Sequence, residues 1–201
     1  MIRRYAKLWR HAVVGIALLM FAGAATAQND NRSWLRAIPA DGQSLKIERI
    51  EDIPQQLARP PGGCRIDQDL LSETPIAVFR PGRHSKAMVI VPCWSVVRYS
   101  RAYAVNPRGE LTLLAFPIIE QDGSIIASDG PGHMEWDAST RTLTAFAGND
   151  LGGGPVARYT YRFNDHSANG FALIKVERGT FQPGANQDLT VVWEAQPWGQ
   201  Q

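Results

Sequence analysis

The sequence predicts an all-β domain. Antiparallel hairpins form a β-sandwich or a small β-barrel, preceded by a short N-terminal helix and a cleaved signal helix. Three observations carry the prediction. From Leu70 onward, β-branched and aromatic runs recur at the spacing of short strands. Turn chemistry separates them, as in Asn106-Pro107-Arg108-Gly109, Gln121-Asp122-Gly123-Ser124 and Ala138-Ser139-Thr140-Arg141. Ten such runs follow one another with short Gly, Asn, Asp and Pro turns between them, which argues antiparallel pairing.

The first segment, residues 1–27, reads as a signal peptide. Arg3, Arg4, Lys7 and Arg10 precede an apolar run from Ala12 to Ala24, and Ala25-Thr26-Ala27 supplies the small-x-small cleavage pattern. The apolar run is shorter than the roughly 20 residues that span a bilayer. No cysteine follows it, so a lipid anchor is not expected, and no membrane anchor remains after cleavage near Ala27-Gln28. The Arg3-Arg4 pair only loosely fits a twin-arginine signal. The expected location is the periplasm.

Removing the leader changes the charge argument. The whole chain is formally +2 and the leader's four charges are all positive, which leaves −2. Phosphate-backbone binding needs clustered Lys and Arg, so nucleic acid is not an expected partner.

Residues 28–63 are expected to form an N-terminal strap and residues 64–201 the β domain. Within the strap, 44–58 (SLKIERIEDIPQQLA) is the best helical candidate, with Pro54 limiting its length. Arg59-Pro60-Pro61-Gly62-Gly63 then breaks the chain. Strands are expected over 76–80, 87–91, 96–105, 111–119, 125–127, 134–137, 142–147, 156–163, 171–177 and 189–195. The run Ala87-Met88-Val89-Ile90-Val91 is continuous in its apolar character, the mark of a strand buried on both faces.

Cys64 and Cys93 are the two cysteines of the chain. In an exported protein they most simply form one disulfide, worth roughly 3 to 4 kcal/mol for a loop of this length. No Cys-x-x-Cys motif favours redox chemistry.

Several segments, in one order, resemble a known family. They are Val89-Ile90-Val91-Pro92-Cys93-Trp94 with the aromatic stretch to Tyr103, Met134-Glu135-Trp136-Asp137, Leu143-Thr144-Ala145-Phe146, Leu151-Gly152-Gly153-Gly154, Tyr159-Thr160-Tyr161, Phe171-Ala172-Leu173 and Val191-Val192-Trp193-Glu194-Ala195. Over residues 60–197 the chain resembles the domain of unknown function 1176 family of secreted bacterial proteins. Members often carry further cysteines in the glycine loop and before the last strand, and this chain has neither. The resemblance implies a Gram-negative periplasmic setting and brings no activity with it.

No nucleophile elbow, zinc-protease helix, phosphate loop or EF-hand loop is present. The densest polar cluster is Asp129, His133, Glu135 and Asp137. His133 and Glu135 share a strand face, and with His166 or Asp165 they could assemble a metal site or an acid/base pair. The plainer alternative is a polar loop entering a strand with a solvated face. Tyr159 and Tyr161 also share a face, where an exposed aromatic row could bind glycan or peptide; core packing is the alternative. The expectation is therefore a monomeric, non-enzymatic domain without a cofactor, binding an envelope glycan or protein. The competing readings are a metal-dependent or acid/base hydrolase using the 129–137 loop, and an inhibitor of a cell-wall-degrading enzyme.

Overall fold

The structure, a computed structural model, describes residues 33–39, 42–94, 98–148, 154–164, 170–181 and 188–196. The expected leader lies outside these residues. Two antiparallel sheets, each running in chain order, make up the body. The first contains β1 (Leu45–Ile47), β2 (Ile76–Phe79), β3 (Ala87–Trp94), β4 (Arg98–Val105) and β5 (Leu111–Leu113). A separate hairpin follows, β6 (Phe116–Ile119) with β7 (Ile125–Ser128). The second sheet contains β8 (His133–Asp137), β9 (Thr142–Ala147), β10 (Gly154–Phe163), β11 (Phe171–Phe181) and β12 (Thr190–Glu194).

The strand period of two explains how the layers stack. On β3, Met88 and Ile90 enter a core shared with the second sheet, whereas Ala87, Val89 and Val91 enter a different core on the opposite side. Its neighbours divide in the same way. Phe79 and Ala102 face the second sheet; Ile76, Val78, Tyr103 and Val105 face away from it. The first sheet is thus buried on both faces, as the unbroken apolar run of β3 predicts.

The second sheet contributes Met134, Leu143, Ala145, Tyr159, Tyr161, Phe171 and Val176 to the shared core. The other side of the first sheet is covered by the N-terminal segment, through Leu35, Ile38 and Leu57, and by Leu71 just beyond it. The architecture is a sandwich with a strap as its third layer. The barrel alternative falls because each sheet ends in two different edge strands, β1 and β5 or β12 and β8.

Two local expectations are corrected. Residues 44–58 do not form an α-helix: Leu45–Ile47 is a strand and Ile50–Asp52 a single 3-10 turn. Ladder pairing wins here because Leu45 and Ile47 alternate about Lys46 and meet Val78 and Ile76 across β2. The short helices lie elsewhere, as α1 (Ser33–Arg36) and α2 (Gln68–Glu73). Asp67 caps α2 by accepting from Leu70 N at 2.9 Å, a local start signal that the sequence carries. The expected strand over 111–119 breaks in two after Leu113, where the chain leaves the first sheet to form the β6–β7 hairpin.

The expected disulfide is present. Cys64, which directly follows the strap, and buried Cys93 of β3 are joined with their Cα atoms 5.0 Å apart, which pins the end of the strap to the first sheet. Tyr103 reinforces that attachment, its hydroxyl donating to the Pro61 carbonyl at 2.8 Å.

Candidate functional site

The 129–137 constellation separates into parts with different tasks. Asp129 pairs with Arg101 at 3.2 Å, and Arg101 also donates to the Gly62 carbonyl. The loop is held down rather than raised: Pro131 and Gly132 are buried, and Ser100 N donates to the Gly132 carbonyl at 2.8 Å. Gly132 has φ +134, and a Cβ there would collide with the Phe146 carbonyl. Only glycine suits that approach.

His133 and Glu135 do share a face of β8, with Nε2 and Oε1 3.4 Å apart. The pair stands on an open strand, Glu135 being 76% exposed in its side chain. Among the described residues no group of three His, Cys, Asp or Glu side chains is placed to hold a metal ion. Asp165 and His166 lie outside the described residues.

Asp137 is engaged by its own turn. It accepts from Ser139 N at 2.8 Å, Ser139 Oγ at 2.6 Å and Thr140 Oγ1 at 2.8 Å. These donors, the Ser139 hydroxyl first, hold its pKa down at about 2.

The face carrying His133 and Glu135 continues across the second sheet. Register aligns Glu135, Thr144, Thr160, Lys175 and Glu194 in one row, one residue from each strand. Such a row suits a solvated sheet face, with charge and hydroxyl partners opposite one another.

The aromatic row expected at Tyr159 and Tyr161 is corrected: both side chains are buried. They point into the core because Ala157, Tyr159, Tyr161 and Phe163 occupy the inward positions of β10. Their hydroxyls reach the β6 carbonyls, Tyr159 to Ile119 at 3.3 Å and Tyr161 to Pro117 at 3.1 Å. Burial raises the pKa of both phenols.

A recess that the sequence reading missed lies at one end of the first sheet. It is a cleft of about 660 Å³ lined by Arg36, Arg80, Arg83, His84 and Lys86. Leu35, Ile38, Ala87 and Val105, all buried, back it, and no carboxylate appears among its described lining residues. The β2–β3 turn that carries most of the cations is stiff. Ser85 Oγ donates to the Gly82 carbonyl at 2.7 Å and accepts from Gly82 N at 2.9 Å. Arg141 braces the same turn, its Nε donating to the Pro81 carbonyl at 2.9 Å. Arg80 donates to the Leu35 carbonyl at 3.3 Å, tying the turn to the strap.

Within the described residues, Arg83, His84 and Lys86 are exposed and make no hydrogen bond or ion pair. The signal was present in the sequence as Arg80-Pro81-Gly82-Arg83-His84-Ser85-Lys86, three permanent cations in one hairpin turn. Arg36 joins them only through the fold.

No family model, curated protein or solved structure matches the chain. Among the described residues no helix is long and apolar enough to cross a membrane.

Proposed function

We propose that this chain is exported to the periplasm, loses residues 1–27, and works there as a non-enzymatic β domain that binds an envelope component, a glycan or a protein. The resemblance to the secreted family over residues 60–197 enters the proposal through the compartment alone. The observation that carries the binding reading is the cationic cleft. It is a preformed recess of ligand size, about 660 Å³, with the exposed side chains of Arg83 and Lys86 at its mouth. An anionic envelope glycan fits that chemistry best.

The non-enzymatic part has separate support. Catalytic acid and base groups act within hydrogen-bond reach of a substrate and away from bulk water. His133 and Glu135 instead stand on an open strand, and Asp137 is occupied by Ser139 and Thr140.

The test uses the chain purified after export in its disulfide-bonded form. Sequencing of its N-terminus should begin at Gln28. The protein is then offered isolated envelope polysaccharide and, separately, immobilised periplasmic proteins. Saturable binding to the polysaccharide is the expected result. An intact leader, or binding to neither material, would overturn the proposal.

A further inference from the structure

We infer that the cleft between α1 and the β2–β3 turn takes a phosphate-bearing saccharide, with the phosphate seated among Arg80, Arg83 and Lys86. This inference rests on the binding reading above and names its ligand.

The charge count comes first. Arg80, Arg83 and Lys86 bring three cationic side chains from one turn, and His84 adds donor capacity. Three such groups in one turn are out of proportion to a chain that is formally −2 once its leader is gone. A single carboxylate would offset one charge and present two oxygens. A phosphate monoester carries about −1.5 to −2 and three strong acceptor oxygens. Arginine forks match phosphate oxygens in pairs, and lysine serves as a point charge beside them.

Geometry supplies the second part. The turn is braced at Gly82 by Ser85 and at Pro81 by Arg141, so the cations project from a fixed backbone. Gly82 is closely packed: a Cβ there would lie 3.0 Å from the Phe163 ring and 3.1 Å from Arg141 Nη2, so those side chains would have to give way. A preformed site loses less ordering entropy on binding. Across the cleft, Asn106 is occupied by its own turn: it donates to Glu110 at 2.6 Å and accepts from Arg108 N and Glu110 N. The recognition chemistry therefore falls to the cations.

Size and surface give the rest of the ligand. A volume of about 660 Å³ far exceeds one phosphate group. Leu35, Ile38, Ala87 and Val105 behind it are almost fully buried, so contact with a sugar ring falls to the aliphatic stems of Arg80, Arg83 and Lys86 at the rim.

The experiment is calorimetric titration of the exported, disulfide-bonded chain with a hexose phosphate, inorganic phosphate, a hexuronate and the neutral hexose. Vesicles of neutral lipid, with and without a phosphate-monoester lipid, form a further arm. Binding of the hexose phosphate at least tenfold tighter than the hexuronate is expected, with no binding of the neutral hexose. Affinity should fall with added salt and fall tenfold or more in the Arg83→Gln/Lys86→Gln variant. Both positions are exposed turn residues, so the melting temperature checks that the variant folds. Binding of the phosphate-bearing vesicles but not the free sugar phosphate would support the same chemistry and assign it to a lipid headgroup. Equal affinity for hexuronate and hexose phosphate would overturn the phosphate inference while leaving glycan binding standing. Envelope polysaccharide binding that survives unchanged in the variant would remove the cleft from both readings.

Discussion

The Tyr161 hydroxyl donates to the Pro117 carbonyl at 3.1 Å, and this bond belongs to a recurring device. Tyr159, two residues back, reaches Ile119, two residues further along β6. Arg178 adds donors to the Ile119 and Glu120 carbonyls at 2.6 Å each. Side chains of the second sheet thereby hold β6, whose ladder partner is β7. Tyr103 ties the strap through Pro61 in the same manner. Tyr161→Phe keeps the ring and loses the bond, which should cost about 1 kcal/mol. Tyr161→Ala should cost about 3–5 kcal/mol by leaving a cavity. Thermal melts check both, at about 2–4 °C per kcal/mol for a chain of this size. An unchanged Tyr161→Phe melt would show that the bond adds nothing beyond solvation.

The same three phenols predict alkaline sensitivity. Burial pushes Tyr103 up to about 12 and raises Tyr159 and Tyr161 as well. A raised folded pKa means the fold holds the proton more tightly than the unfolded chain does. The resulting stability is complete below about pH 10 and is lost as pH rises through the folded values. Phenolate absorbance and far-ultraviolet circular dichroism, followed together, should show these tyrosines ionising as the sheet signal disappears. Their full ionisation near pH 10 with the sheet signal intact would contradict the burial argument.

Asp137 predicts the opposite limb. Its pKa is lowered to about 2 by the Ser139 and Thr140 donors. The contribution is full above the ordinary aspartate value near 4 and disappears as pH falls through about 2. Asp137→Asn should therefore melt lower than the native chain near neutral pH, and the gap should narrow between about pH 4 and 2. A gap that stays constant across that range would rule out the carboxylate as its origin.

Cys64 and Cys93 join the strap's end to the first sheet. The bond closes a separation of 29 residues between the strap's end and a fully buried strand position. Cys64→Ser with Cys93→Ala should lose about 3 kcal/mol in urea titrations. Protease should then cut first within residues 45–63, because the strap is the layer the bond secures. Cleavage elsewhere at the same rate would show that the strap is held by its apolar contacts alone.

Most strands are legible because their signals are local. Thr142–Ala147 and Phe171–Phe181 alternate or cluster β-branched and aromatic residues, and their bounding turns carry their own residue chemistry. The third layer was less legible. Leu45 and Ile47 read equally well in a helix or a strand until β2 supplies a partner. Tyr159 and Tyr161 share a face by period alone, but which face is inward depends on the sheet opposite. The cleft needed both kinds of information. Arg80, Arg83 and Lys86 are neighbours in sequence, whereas Arg36 arrives from a strap whose path no local pattern reveals.

The central claim is that the cationic cleft holds an anionic envelope glycan. The most direct test is co-sedimentation of the exported, disulfide-bonded chain with insoluble envelope polysaccharide, beside Arg83→Gln/Lys86→Gln at matched melting temperature. The native chain should pellet saturably and the variant should remain in the supernatant. Equal pelleting of both, or of neither, would contradict the claim.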